Sequence, residues 1–402
     1  MKQEFTLNPV QSKLFIQYFN AAMRNPETGF LVANGSAKLL KDGKYESKQA
    51  VSFEYKSKKI FVAWEIILNP DNSLYSIGNT NIIDDGGDYE LMLSGFISDI
   101  LQRTLNQARS IFFERVIFKV IAGCNLPGEY WLPGFRLGPL FPDDDSFVVN
   151  AERLLVIDQN VKAIDSIHAR EVAQEEASKF SAYISFILDK GLYRPIHQEL
   201  YFLVNDENRL RMERKSTQVI DPNPITEMPQ KKELCQQATF EGSVYDLIRP
   251  STKALICPSE TKKIIKGIES SDKEIRDAFL NCCLLYQQGL NIIGHYPTVR
   301  LAYAVAAVDA IVKTNTKKYI SFTDFMMKYG GASRKLCDLL FSKVRSAHWH
   351  TGKYILGDFD FNTDFLDMNK HVTFDIILDS RRKIRTAILK WLDESIGFTK
   401  ID

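Results

Sequence analysis

The chain has 402 residues, of which 45% are hydrophobic and 25% charged, the balance of an ordinary globular protein with room for two or three domains. That balance excludes a disordered or collagen-like class. Its 51 Lys and Arg nearly cancel 50 Asp and Glu, so the net charge of +1 excludes attraction to nucleic acid by bulk charge, and any such contact must come from a local patch.

No apolar run follows a basic start at Met1, so no signal peptide is expected. The stretch from Leu280 to Val299 lacks Asp, Glu, Lys and Arg, but its Asn, Gln, Gly, His and Pro read as helix and turn rather than a membrane span. The six cysteines, Cys124, Cys235, Cys257, Cys282, Cys283 and Cys337, form no CxxC pair. Reduced and mostly buried thiols in a cytoplasmic protein are the expectation, with no metal and no cofactor.

Residues 1–150 read as an α+β domain. Lys48 to Leu68 alternates and is β-branched, as a hairpin or paired strands would be. Asn69-Pro70-Asp71-Asn72 follows as a turn. Leu91, Leu93, Phe96, Ile97 and Leu101 then recur on one side of a helix over Tyr89 to Arg109, and Ile111 to Ala122 reads as a strand. Leu126 to Asp145, with Pro127, Pro133, Pro139, Pro142 and three aspartates in a row, reads as a loop.

Residues 151–260 form a middle region that reads as mostly helical up to about residue 205. Its amphipathic stretch Glu171 to Leu188 carries Phe180, Tyr183, Ile184, Phe186 and Ile187, and Tyr201 to Val204 reads as a short strand. Pro222, Pro224 and Pro229 mark Asp221 to Lys231 as a linker. The chain shows no internal repeat at a fixed period.

From about Ser270 only helices are expected. Ser271 to Glu274 has the Ser-x-x-Glu capping-box form, and Pro297 suits the first turn of a second helix running to Val312. Ser321 and Ser333 suit N-caps, and Gly330-Gly331 suits a helix end. A last helix spans about Val372 to Glu394. The expected fold is an α+β N-terminal region followed by an all-α bundle of four or five helices over residues 268–398.

Within that bundle, Phe341 to Gly352 holds Arg345, Ser346, His348, Trp349 and His350. An imidazole with a pKa near 6.5 is suited to taking a proton from a ribose 2′-hydroxyl, and a permanently charged, fork-shaped guanidinium to stabilising the phosphorane that forms. RNA carries its own nucleophile, so such a pair needs no metal. Five positions along an ideal helix rotate by about 500°, so the two side chains point ~140° apart unless the helix frays or ends between them.

Arg345, the polar Ser346 and His350, with four residues between Arg and His, resemble the catalytic motif of the HEPN superfamily; Gly352 stands one place later than the usual His-Gly. The helix carrying Ala306-Ala307-Val308-Asp309-Ala310-Ile311 and the Phe-centred Phe322 to Phe325 that follows resemble the Apea-like branch. The resemblance covers Ile268 to Ile396. It implies a HEPN-like bundle, a homodimer whose two motifs face each other, and a metal-independent endoribonuclease used as a toxin or in anti-phage defence by abortive infection. Residues 1–260 would then sense a phage-derived or nucleotide trigger or restrain the nuclease. Ser346 would fix Arg345 or contact phosphate, and His348 is the alternative base. A HEPN module that binds nucleotide or protein without cutting is the alternative function.

Simpler readings stand beside these. Arg345 could pair with Asp309 or Asp338 and hold helices together, and both histidines could sit at a helix end where His⁺ suits the dipole. Trp349 is a core or dimer anchor, or else a platform for a base. Arg381, Arg382 and Lys383, with Arg385, form the densest basic cluster, either a solvated face or a phosphate-contacting patch. Asp358, Asp360, Asp364 and Asp367 read as a solvated face rather than a cation site, and Asp84 to Asp88 and Asp143 to Asp145 as turns. His168, His197, His295 and His371 read as structural.

Overall fold

The computed structural model describes residues 2–23, 33–55, 58–82, 89–107, 109–121, 126–140, 152–194, 199–206, 209–216, 224–246, 254–292, 296–314, 320–358 and 368–399. The chain forms an α+β N-terminal region with two antiparallel sheets and a helical C-terminal region. It divides into two compact units, residues 1–112 with 161–172, and residues 113–160 with 173–402.

In the first unit, β1 (Lys2–Glu4), β2 (Ala33–Leu39), β3 (Tyr45–Tyr55), β4 (Lys58–Leu68) and β5 (Leu74–Ile82) form a sheet in the order β1-β5-β4-β3-β2. Strand β4 shows why: Ile60, Val62, Trp64 and Ile66 are buried at every second position, while Phe61 between them is exposed. Two helices, α1 (Pro9–Met23) and α2 (Tyr89–Asn106), contribute to the same core. Phe19 meets Trp64 edge-on, with ring centroids 5.2 Å apart. Leu93, Phe96, Ile97 and Ile100 are the inward face of α2; Leu91, expected among them, is exposed. The turn over Asn69–Asn72 forms as expected, with Asn72 N–H donating to Asn69 O at 2.9 Å.

The second unit departs further from expectation. Its sheet, in the order β10-β6-β9-β8-β7, uses β6 (Ser110–Ile121), β7 (Tyr130–Leu132), β8 (Phe135–Pro139), β9 (Glu152–Ala163) and β10 (Leu192–Tyr193). The Pro-rich stretch expected as a loop instead folds back as the β7–β8 hairpin, because Gly134 (φ 78°) turns the chain and pairs Leu132 with Phe135. Residues 152–163 form strand β9 where helix was expected. The remaining elements of the middle region are α3 (Ser166–Leu188), β11 (Glu199–Asp206) and β12 (Arg209–Ser216). The chain just after the expected linker is fastened by hydrogen bonds. Lys232 N–H donates to Glu129 Oε1, and Glu129 N–H and C=O bond to Gln236 and Ala238 at 2.9 Å each.

This sheet buries a network of charges. Arg136 has a fully buried side chain; its Nε meets Glu129 Oε2 at 2.7 Å and its Nη1 meets Asp158 Oδ2 at 2.6 Å. Arg115 adds Nε to Asp158 Oδ1 at 2.7 Å, and Trp131 Nε1 donates to Glu129 Oε1 at 2.8 Å. Burial raises the Glu129 pKa, but the hydrogen bonds from Lys232, Trp131 and Arg136 outweigh it and leave the carboxyl below its usual range.

The helical part consists of α4 (Thr261–Ser270), α5 (Lys273–Asn291), α6 (Pro297–Thr314), α7 (Phe322–Gly330), α8 (Arg334–Asp338), a π-helical run (Leu339–Ser346), α9 (Ala347–Thr351) and α10 (Met368–Ile396). Ser321 and Ser333 cap as expected, accepting from Asp324 N and Leu336 N, and Gly331 ends α7 at φ 58°. The capping box at Ser271 does not form. Its hydroxyl donates back to Ile268 O at 2.8 Å, finishing α4, and Asp272 takes the N-cap position of α5, its side chain accepting no cap bond among the described residues.

Two close crossings set the packing. A Cβ on Gly289 would lie 3.0 Å from Arg300 O, where α5 meets α6. One on Gly330 would lie 2.8 Å from Lys383 O, where α7 meets α10. Backbone cannot swing aside as a side chain can, so Gly330→Ala is expected to cost about 1–3 kcal/mol in urea unfolding. A midpoint equal to that of the unaltered protein would show that the helices have room to part.

Helix α3 is bound into this region, so the expected boundary near residue 260 is not a structural seam. Gln287 Nε2 reaches Ser181 Oγ, Ser185 Oγ and Leu192 O at 3.1, 3.0 and 2.6 Å. Cys257, Cys282, Cys283 and Cys337 are buried thiols and Cys235 is a half-buried one; Cys124 lies outside the described residues. Burial drives the Cys282 and Cys283 thiols far above their usual pKa. His168 is buried, with its Nδ1 accepting from Ile164 N at 3.2 Å; His197 and His295 and the side chain of His371 lie outside the described residues.

Candidate active site

Arg345 and His350 belong to one rod of three segments, α8, the π-helical run and α9. In the π run each N–H reaches back five residues rather than four, which loosens the turn and shifts the face presented after it. The rod does not end between the two residues. It ends beyond them, at Gly352 in the left-handed region (φ 64°), whose N–H bonds back to Ala347 and His348 carbonyls.

The π run turns Arg345 toward α6. Its Nη2 donates to Asp309 Oδ2 at 2.9 Å, its side chain retaining 22% exposure against 10% for Asp309. Lys313, one turn along α6, meets the same Asp309 oxygen at 2.8 Å. The guanidinium also lies over the Phe341 ring at 5.2 Å. Asp309, not Asp338, is therefore its partner. Arg345 Nε is buried with no acceptor among the described residues.

Four residues on, Trp349 faces α6 as well, edge-on to Tyr303 at 5.2 Å, yet 47% of it remains exposed. It is anchored on one side and open on the other. His350 lies one residue further, about 100° around. It is exposed, and no hydrogen bond joins it to Arg345 among the described residues. His348 is half-buried between Trp349 and Tyr354, with ring centroids at 5.3 and 5.1 Å, and its Nδ1 is sealed from solvent without a partner among the described residues. Of the two imidazoles, His350 is the one open to solvent. Ser346 sits half-buried at the junction of the π run and α9, and its hydroxyl caps nothing.

The basic cluster on α10 is divided among structural partners. Arg381 Nη2 meets Asp189 Oδ2 at 2.9 Å, and Lys383 Nζ donates to Gly331 O at 3.1 Å. Arg385 is buried and donates to Phe186 O, to Ile187 O at 2.8 Å and to Val244 O at 3.1 Å, closing the C-terminal carbonyls of α3. Arg382 is exposed, with a 3.4 Å contact to Asp379. Asp358 is likewise not a solvated acid. It is buried and receives the N–H of Thr298 at 2.9 Å and the Thr298 hydroxyl, fixing the start of α6, while Asp360, Asp364 and Asp367 lie outside the described residues.

No helix among the described residues is long and apolar enough to cross a membrane. Comparison of the chain with known family models, curated proteins and solved structures finds no match.

Proposed function

We propose that the helical region is a metal-independent endoribonuclease of the HEPN type, with Arg345 as the phosphate-binding group and His350 as the proton-transfer group. One observation carries this reading. The spacing of Arg345, Ser346 and His350 stands at a helix end where His350 is exposed, and the Arg345 side chain retains 22% exposure beside Asp309. Asp309 fixes the orientation of the guanidinium rather than consuming it. Arg345 faces α6 while His350 faces solvent, so one copy alone supplies half of a centre. A homodimer in which the two motifs face each other completes it, as the family resemblance implies. On this reading the protein acts in the cytoplasm as a toxin or anti-phage effector, and residues 1–260 sense a phage-derived or nucleotide trigger or restrain the nuclease.

The test is cleavage of RNA by the purified full-length chain in excess chelator, with mass determination in solution. A dimer that releases products ending in 2′,3′-cyclic phosphate supports the reading. Strict dependence on a divalent metal overturns it. A second reading draws on the same Arg345–Asp309 pair. That bond ties α6 to the rod, as it would in a HEPN module that binds nucleotide or protein without cutting. It predicts dimerisation or ligand binding that survives Arg345→Ala, and no cleavage under any condition.

A further inference from the structure

The stretch that carries Arg345 and His350 also builds an aromatic cluster that their chemistry leaves unused. Trp349 stands crosswise to Tyr303 of α6 and to His348, with ring centroids 5.2 and 5.3 Å away and planes at 84° and 66°. Gly352 then turns the chain, and Lys353 N–H bonds back to Ala347 O at 3.4 Å. That return sets Tyr354 against His348, with ring centroids 5.1 Å apart and planes at 71°.

Rings fixed in this way ordinarily belong to a core, yet two of these are open. Trp349 retains 47% exposure and Tyr354 43%. Of the chain's four tryptophans, Trp64 and Trp391 are buried and Trp131 is half-buried, with its Nε1 donating to Glu129. Trp349 alone is exposed. Its crossed neighbours hold the indole plane while nearly half of the residue stays in water, so a flat partner meets a surface already set for it.

The charge around the rings says which partner suits them. From Leu339 to Gly357 the chain holds Lys343, Arg345, His348, His350 and Lys353, and neither Asp nor Glu. Lys343, His350 and Lys353 are exposed. The centre of a protein-docking patch is depleted of charge, whereas aromatic rings interleaved with cations suit a single-stranded nucleic acid, whose bases stack and whose backbone is anionic.

We propose that Trp349 is a stacking platform for one unpaired base of the RNA, with Tyr354 extending the platform past His348. The inference deepens the ribonuclease reading and rests on it for RNA as the ligand. It adds a requirement on the substrate. A base inside a duplex is already stacked on both faces, so the stretch that is read must be unpaired. Trp349 directly precedes His350, which puts the stacked base at or beside the bond that is cut.

The test uses the full chain carrying His350→Ala, in excess chelator, so that binding is read without cutting. Fluorescence anisotropy follows a labelled oligoadenylate as a single strand and again annealed to oligouridylate. The single strand is expected to bind more tightly than the duplex. Adding Trp349→Ala is expected to raise its Kd about 5- to 100-fold, the loss of one base–aromatic stack, while Trp349→Phe keeps a flat ring and most of the affinity. Trp349→Leu, which keeps apolar bulk without a stacking face, replaces the alanine variant should that one fold poorly. Tryptophan emission gives a second readout: the single strand should quench it saturably, and Trp349→Phe should remove the quenching. Mass in solution is determined for each variant. The proposal is overturned if Trp349→Ala and Trp349→Leu leave Kd unchanged, or if duplex and single strand bind alike. It is overturned too if these variants turn a dimer into a monomer, which would make Trp349 an anchor between copies. A chain that shows the stacking signature but never cuts RNA keeps this inference and loses the ribonuclease reading. A chain that cuts RNA while Kd ignores Trp349 does the reverse.

Discussion

Arg136→Met is expected to lower the stability of the second unit by about 3–5 kcal/mol. The reason is the company that the guanidinium keeps. Glu129 and Asp158 both have fully buried side chains, and Arg136 bonds to each. Methionine fills most of the volume but leaves the two acids short of a cation. Arg115 still serves Asp158, whereas Glu129 keeps only Trp131 and the Lys232 N–H. Breaking such a network from one side costs more than replacing all of it with apolar groups, so a variant also carrying Glu129→Gln and Asp158→Asn should recover part of the loss. Urea unfolding measures both, and a loss below ~1 kcal/mol for Arg136→Met would show the acids to be solvated after all. The pH dependence has a definite sign. The Glu129 pKa is lower in the folded chain than in the unfolded one, so its contribution is complete at neutral pH and disappears as pH falls through the depressed folded value.

The second large effect concerns the proposed chemistry. His350→Ala is expected to slow RNA cleavage about a hundred- to ten-thousandfold, and Arg345→Ala about a hundred- to thousandfold. The two losses have different sources, which further measurements separate. His350 is exposed and makes no hydrogen bond, ion pair or ring contact among the described residues, so its removal should leave the unfolding midpoint unchanged. Arg345 contacts Asp309 and Phe341, so its removal should lower the midpoint modestly, with Lys313 retaining the Asp309 charge. His348→Ala, which opens a gap between Trp349 and Tyr354, should act on stability more than on rate. Cleavage at the unaltered rate by the His350 variant would remove that residue from the mechanism.

Local signals in the sequence were legible where one short stretch decides the outcome. Ser321 and Ser333 announced their helices because a hydroxyl two or three residues before a free N–H is a complete interaction. The paired strands over Lys48 to Leu68 announced themselves by alternation. The simpler reading of Arg345, a bond to Asp309 or Asp338 that ties helices together, was open from the sequence beside the catalytic one, and Asp309 does bond it. What escaped was decided by distant partners. Residues 152–163 read as helix, but their Asp158 and Val156 have sheet neighbours on β8 to pair with. Pro133-Gly134 suggested a loop, though two residues with the second at positive φ make a hairpin once the flanking strands are apolar. The π-helical run has no marker in composition, and it decides which side of the rod Arg345 presents. Arg381 reads as a surface cation until Asp189, 192 residues earlier, is seen against it.

The stitching of α3 to α5 and α10 bears on how the protein can be dissected. A fragment beginning at residue 268 would retain Tyr286, Gln287 and Arg385 while losing Asp189, Ser181, Ser185 and the carbonyls of Phe186 and Ile187 that they bond. It would also uncover Phe279, whose ring rests against Tyr183 and Phe186. Such a piece would present orphaned donors beside a bare aromatic surface and should clump in solution. Any shortened version meant to stay dispersed has to carry the strands from residue 113 onward along with the helices.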